Sequence, residues 1–250
     1  MCARSTSGGR EMRADRLLVE RGLFESRARA QAAIAAGLVT ADGRPVAKAS
    51  EEIPADAVIE AAPAHTYVSR GGVKLAAALD RFGFDPAGRV CLDVGASTGG
   101  FTEVLLARCA RHVYAVDVGQ GQLHSSLRAH AAVTVFEATD IRSLSPALLP
   151  APPDFVVIDV SFISLRLALP PALALARTPA LLVALVKPQF EAGRAYLRKG
   201  IVRDAAVQEA VCAGIAETVA GLGWRVAGII PSPIAGGDGN REFLIGARRD

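Results

Sequence analysis

The feature that most constrains this chain is the stretch Val90-Cys91-Leu92-Asp93-Val94-Gly95-Ala96-Ser97-Thr98-Gly99-Gly100-Phe101, where an apolar run passes through a glycine-rich turn into a helical pattern. A strand that ends in such a turn and reopens as a helix is a building block of open α/β sheets, and its free N–H groups suit a nucleotide-like ligand. The strand should end at Gly95 and the helix begin near Gly99, with Gly99 and Gly100 letting the first turn approach a ligand with no Cβ in the way. The glycines read G-x-x-x-G-G. A dinucleotide fingerprint reads G-x-G-x-x-G, so that a pyrophosphate can be wrapped. Ala96 and Thr98 break that order and disfavour a dinucleotide.

Further strands deliver further acids. His112 to Val116 ends in Asp117, followed by Val118, about 20 residues past the glycine turn, where a carboxylate can accept both hydroxyls of a ribose. Val133 to Phe136 leads to Asp140 and Ile141, within reach of an adenine amino group. Taken singly, each of these acids is as well explained as a helix cap or a loop residue. Their joint spacing, Asp93 before the turn and then Asp117 and Asp140 at successive strand ends, resembles the doubly wound S-adenosylmethionine methyltransferases. The resemblance implies that Asp93, Gly95 to Phe101, Asp117, Val118, Asp140, Ile141 and Asp159 hold that cofactor.

With 250 residues, 51% of them hydrophobic, the chain can bury a full core and spare a small second domain. A formal charge of +3 permits a nucleic-acid partner without demanding one. Cys2, Cys91, Cys109 and Cys212 form no CxxC and have no histidine at ligand spacing, which argues against a metal site or a disulfide framework and fits a reducing cytoplasm. The most apolar stretch, Leu165 to Val186, is interrupted by Arg166, Pro170, Pro171, Arg177 and Pro179, so no membrane span is expected.

Residues 1–13 read as a disordered leader, 14–63 as a small α+β module, 64–69 as a linker and 70–250 as the catalytic domain. In the module, Asp15 is expected to cap a first helix that stops at Gly22. Ser26 should cap a second helix, with Ala28, Ala32 and Ala35 facing inward and Gly37 ending it. Leu38 to Thr40 and Pro45-Val46 flank the turn Ala41-Asp42-Gly43-Arg44 as a hairpin, and a further pair of short strands closes at Val58 to Glu60. The pattern Arg16-Leu17-Leu18, Arg21-Gly22-Leu23, Ser26-Arg27-Ala28, Gly37-Leu38-Val39 and Asp42-Gly43 resembles the S4 RNA-binding domain. That resemblance implies phosphate contacts from Arg16, Arg27, Arg29 and Lys48. Because residues 1–65 carry nine cations and nine acids, such binding depends on a one-sided distribution of charge. The same arginines would otherwise form a solvated face.

In the larger half, Arg70-Gly71-Gly72-Val73-Lys74 precedes a helix expected over Leu75 to Phe82, with Lys74 on its first turn, where the helix dipole opposes a cation. Phe155 to Ile158 ends in Asp159, and Leu181 to Val186 ends in Lys187; both are continuously apolar, as in strands covered on both faces. An ammonium closing a buried strand requires a partner, and Asp159 is the natural one. Glu242 follows the glycine-rich loop Gly236 to Gly239 and begins the last strand. Lys74, Asp159, Lys187 and Glu242, in this order around the glycine turn, resemble the K-D-K-E tetrad of ribose 2′-O-methyltransferases. The spellings Ser69-Arg70-Gly71-Gly72-Val73-Lys74-Leu75, Asp159-Val160-Ser161-Phe162-Ile163-Ser164-Leu165 and Val186-Lys187-Pro188-Gln189-Phe190-Glu191 join the glycine turn and the S4-like front. Together they resemble the hemolysin-A (TlyA) family of S4-domain ribosomal RNA 2′-O-methyltransferases over Asp15 to Arg248. Tyr67 stands where relatives carry a linker tryptophan.

The resemblance implies a doubly wound, Rossmann-like α/β methyltransferase sheet, mostly parallel with the last strand antiparallel, behind an S4-like RNA-binding domain. It also implies methyl transfer from S-adenosylmethionine to cytidine ribose, with ribosomal RNA or ribosomal subunits as partner and Arg70 as a further RNA contact. A ribose hydroxyl is a weak nucleophile, so it must lose its proton as it attacks. Lys187 is expected to steer and deprotonate it, which requires burial and Lys74 to lower the lysine's pKa against the opposing charges of Asp159 and Glu242. Lys74 and Lys187 stabilise the developing alkoxide in either case. The leaving group is a neutral thioether and needs no metal. Phe101 and Phe162 can stack on adenine or a flipped base, although core packing is the ordinary fate of either. Two other classes compete: an inactive RNA-binding ribosome-assembly factor, against which the intact tetrad argues, and a membrane-active cytolysin, against which the broken apolar runs argue.

Overall fold

The computed structural model describes residues 11–62, 67–236 and 239–250. Residues 1–10 of the expected leader, Cys2, Pro63, linker residues 64–66, Gly237 and Asp238 lie outside the described residues. The chain divides into two units, Met1–Thr66 and Tyr67–Asp250.

The smaller unit runs β1 (Glu11–Arg13), α1 (Ala14–Glu20), α2 (Arg27–Ala35), β2 (Val39–Ala41), β3 (Arg44–Pro45), β4 (Glu52–Pro54) and β5 (Ile59–Ala61). β2 lies between β3 and β5, while β1 pairs antiparallel with β4. Residues 11–13, expected in the leader, are therefore a strand. They carry too little apolar contrast to reveal a pairing made 40 residues downstream. The Asp42-Gly43 turn has φ of 48° and 73°, both in the left-handed region that these residues tolerate. Ser26 caps α2 by accepting from the Arg29 N–H.

Two expectations for the helices are corrected. The inward face of α2 is Ala30, Ala33 and Ile34, not Ala28, Ala32 and Ala35, because an alanine-rich helix gives little contrast between faces. Asp15 is not a cap: α1 begins at Ala14 with Arg13 as its cap residue. Its fully buried carboxylate accepts from Arg13 (3.1 Å), Arg27 (2.6 Å) and Gln31 (2.8 Å), knotting β1, α1 and α2 together.

The larger unit contains α3 (Gly71–Phe82), β6 (Val90–Val94), α4 (Gly100–Ala107), β7 (His112–Val116), α5 (Ser125–Arg128), β8 (Val133–Phe136), β9 (Phe155–Ile158), α6 (Leu165–Ala174), β10 (Ala180–Val186), α7 (Pro188–Glu191), α8 (Ala205–Gly221), β11 (Arg225–Pro231) and β12 (Phe243–Arg249). Among the described residues this sheet has seven strands, ordered β11-β12-β10-β9-β6-β7-β8, with β12 antiparallel to the other six. Strand parity sorts the core into two layers. Leu92, Val94, Val156, Ile158, Leu182 and Ala184 pack under α6 and α8, whereas Cys91, Phe155, Val157, Val183 and Leu185 pack with Leu75, Leu79, Phe101 and Leu105 of α3 and α4. From β6 the chain winds to β7 and β8, then returns to β9 on the other side. The switch point thus falls between β6 and β9, where open sheets bind ligands.

α3 starts at Gly71, four residues earlier than expected. Tyr67 to Ser69, expected as linker, belong to the larger unit: the Tyr67 ring fills the space beside Gly72, and the Val68 N–H donates to Glu103 at 2.5 Å. Among the described residues no helix is long and apolar enough to cross a membrane.

The guanidinium of Arg13 and its neighbours hold the Asp15 carboxyl well below the usual carboxylate range. A depressed pKa stabilises the fold fully above the unfolded value near 4, and that contribution is lost as pH falls further. We expect Asp15→Asn to cost the smaller unit about 1–3 kcal/mol at pH 7. In denaturant titrations the gap from wild type should narrow steadily below pH 4.

Candidate active site

The carboxyl ends of β6, β7, β8 and β9 surround a cleft of about 620 Å³, within the usual size of a small-molecule site. It is lined by Gly95, Ser97, Asp117, Val118, Asp140, Ile141 and Asp159 among others, so these expected cofactor residues meet in one place. An adjoining cavity of about 220 Å³ shares Gly95, Ser97 and Asp159 and adds Ala96, Thr98, Gly100, Phe101, Lys74, Ser69 and Arg70.

Two expected cofactor residues, Asp93 and Gly99, line neither cavity. Asp93 is fully buried, because its position on β6 has the parity of Cys91 and points it under α4. There Oδ2 accepts from Thr102 Oγ1 at 2.6 Å, and Oδ1 has no hydrogen-bond partner. Gly99 turns towards α5, where a Cβ would collide with Leu123 and Leu127. The glycines serve the protein's own packing. A Cβ on Gly95, at φ 83°, would collide with the Asp159 carbonyl, and one on Gly100 would collide with Ser69. Each absent side chain lets two segments of the cleft wall touch.

Asp117 is fixed as an acceptor. Oδ2 takes the Ser97 N–H and Oδ1 the Gly119 N–H, both at 2.7 Å, and each oxygen retains a lone pair. Asp140 caps a short 3₁₀ turn and grips Arg142, whose hydrogen bond lowers its pKa. Glu137 braces the 119–123 loop by accepting from Gln122 and Leu123; the Gly121 N–H and Arg128 hold its carboxyl near a pKa of about 2.

Lys74 Nζ lies 2.5 Å from Glu242, and both side chains are almost wholly buried. Lys187 Nζ lies 2.6 Å from Asp159 Oδ1 and donates to Ser161 Oγ at 2.8 Å. Strand register joins the two pairs: β10 and β12 pair Val186 with Phe243, so Lys187 and Glu242 stand on the next rung. Asp159 borders both cavities and Lys74 the smaller one.

Sequence reasoning missed Ser161, Gly119, Gln122, Thr139 and Arg142 of the wall. Gly119 and Gly121, just past a strand-ending acid, were a readable turn signal. Phe101 is in the core, whereas Phe162 is 91% exposed, a correction to the expected core packing. It adopts φ 66°, an outlier for a bulky residue, with its ring 5.3 Å from Phe190 at the cleft mouth.

The expected RNA contacts separate. Arg16 and Lys48 are exposed, whereas Arg27 is engaged by Asp15 and Arg29 by Glu25 at 2.8 Å. Arg70 borders the smaller cavity on the larger unit. Among the described residues no cluster of metal ligands occurs, and Cys91, Cys109 and Cys212 are free.

Residues 67–249 match the FtsJ-like methyltransferase family and residues 12–59 the S4 domain. The chain is 44% identical to the 16S/23S rRNA (cytidine-2′-O)-methyltransferase TlyA of Mycobacterium tuberculosis, over 96% of this chain and 90% of that protein. It is 46% identical to the “Putative rRNA methyltransferase YqxC” of Bacillus subtilis, over 93% and 84%. A solved “Putative hemolysin from Streptococcus thermophilus” superposes with a TM-score of 0.77 at 41% identity, covering 96% of this chain and 88% of that one.

Burial, opposed by the Thr102 hydrogen bond and reinforced by the Asp159 charge, pushes the Asp93 carboxyl up to about 7. The folded protein then keeps a proton that the unfolded chain loses near pH 4, so this group makes stability fall as pH rises from about 4 to 7. We expect Asp93→Asn, which still accepts from Thr102, to remove that decline between pH 5 and pH 8 in urea midpoints. An undiminished decline would assign it elsewhere.

Proposed function

The chain belongs to the FtsJ-like methyltransferase family, and on that premise we propose that it transfers a methyl group to the ribose 2′-hydroxyl of cytidine in ribosomal RNA. The observation that carries this reading is the pairing of two buried lysines with two acids at the cleft edge of the sheet, where Lys74 borders the smaller cavity and Asp159, the partner of Lys187, borders both.

We assign S-adenosylmethionine to the larger cavity. The residues present fit it: Asp117 offers spare lone pairs for ribose hydroxyls, Asp140 and Ile141 border the position of a base, and Val118, 72% exposed, leaves an apolar surface for a planar ring. When bound, that group supplies an electrophilic methyl on a sulfonium and departs as a neutral thioether. Asp159 lies 2.6 Å from the Lys187 nitrogen as an ion pair and Ser161 Oγ lies 2.8 Å from it, which fixes that nitrogen beside the acid of the cleft wall. In the reaction the neutral amine of Lys187 steers the cytidine 2′-hydroxyl and takes its proton, and the ammonium paired with Asp159 is the state after the transfer. Lys74, fixed by Glu242, stabilises the charge that develops on the attacking oxygen, in a wall that excludes most water. Alignment of hydroxyl and methyl contributes further acceleration. Phe162 offers a stacking face at the mouth. The S4 unit seats ribosomal RNA or a ribosomal subunit, and we place the reaction in the cytoplasm.

Purified protein incubated with labelled S-adenosylmethionine and separate ribosomal subunits should place label on the 2′-oxygen of a cytidine. Absence of transfer would favour an assembly factor, and liposome leakage a cytolysin. Lys187→Ala should retain cofactor while losing turnover by about 10³-fold, and Lys187→Arg, which cannot accept the proton, should lose nearly as much. Full activity in either variant removes that role from Lys187. Arg16→Ala and Lys48→Ala should each weaken rRNA binding and reduce its salt slope by roughly 0.7–0.9, at unchanged stability of the smaller unit. Arg27→Ala should lower that stability as well, because it also releases Asp15.

A further inference from the structure

The segment after α7, residues 193–203, carries Arg194, Arg198, Lys199 and Arg203 with no acid among them. All four are exposed, and none takes part in the ion pairs of the described residues. Tyr196, 57% exposed, stands in their midst.

This is an ordered piece of backbone. Arg194–Tyr196 forms one 3₁₀ turn. Arg198 and Ile201 then exchange both backbone hydrogen bonds, at 3.0 and 3.1 Å, and close a tight turn. Its tip is Lys199 at φ 52° and Gly200 at φ 80°, so a lysine occupies a left-handed position that asparagine or glycine would fill at lower cost. Two buried amides hold the turn in place. Asn240 Nδ2 donates to the Gly200 carbonyl at 3.1 Å, and Gln208 Nε2 to the Val202 carbonyl at 2.7 Å. Asn240 is two residues before Glu242, and the segment itself begins six residues after Lys187. The turn is therefore tethered from both sides to the strand ends that carry the catalytic lysine and its neighbour.

A solvated surface interleaves charges of both signs and needs neither a strained tip nor buried tethers. Cations of one sign, held rigidly around an exposed aromatic, suit a polyanion with stackable bases. We infer that residues 193–203 are a second RNA-contact surface, on the catalytic unit itself. Arg194, Arg198, Lys199 and Arg203 grip phosphates flanking the target nucleotide, and Tyr196 stacks on an unpaired base. The inference rests on the proposed RNA substrate. It separates two tasks: the S4 unit supplies affinity, and this turn sets which ribose arrives at Lys187.

The test uses the full chain with Arg194→Gln, Arg198→Gln and Lys199→Gln combined, and Tyr196→Ala alone. For the triple variant we expect the KM for rRNA to rise at least about tenfold and the slope of log affinity against log salt to shrink by about 2. The kcat at saturating RNA and the affinity for S-adenosylhomocysteine should stay within about twofold of wild type. Tyr196→Ala should raise KM with the salt slope unchanged. Unchanged RNA affinity and slope in the triple variant, beside a wild type that methylates rRNA, would overturn the inference and leave the proposed activity standing. Should wild type transfer no methyl group, the activity falls, and the slope comparison still decides the role of the segment. Loss of binding to phosphatidylglycerol vesicles with RNA binding intact would overturn the inference in favour of a lipid contact.

Discussion

The larger unit depends on one close approach, that of the Gly95 backbone to the carbonyl of Asp159. β6 and β9 are neighbours, with Val94 opposite Ile158, and both must shed their chains at the same edge of the sheet. Any side chain at 95 would push these ends apart. Because none is present, the glycine turn and the acid of β9 form a continuous wall, and both cavities share that seam. The glycine turn and the lysine-holding carboxylate are thus positioned by a single backbone contact.

Placing two ammonium groups beside one seam carries an electrostatic cost, which the fold offsets locally. Each lysine has its own acid within 2.6 Å, so the four groups sum to no net charge, while Lys74 and the acid that holds Lys187 border the site. The antiparallel course of β12 is what makes this possible. A parallel last strand would begin at the other edge of the sheet, and Glu242 could not reach Lys74. The one strand that breaks the parallel pattern thereby supplies the fourth member of the cluster.

Much of this was legible in the sequence for a simple reason. Parallel buried strands are short apolar runs, and the first charged residue after each run marks its carboxyl end. Asp117, Asp159 and Lys187 were found that way. What escaped was information carried by parity and by long-range pairing. Asp93 sits one position out of phase with the cleft, and α4 covers it. The inward face of α2 was hidden among alanines, and the short strand 11–13 is recognisable only beside residues 52–54. The basic turn at 193–203 reads as an ordinary charged loop until Asn240 and Gln208 are seen to hold it.

The pairing of β1 with β4 has a consequence for how the molecule is made. Every strand and helix among the described residues of the smaller unit lies between residues 11 and 61, so the contacts among them require nothing synthesised later. At about 5–20 residues per second, residues 62–250 occupy a ribosome for roughly ten to forty seconds after that unit is synthesised. During that interval a growing chain already displays its finished amino-terminal module beside the ribosome that is translating it.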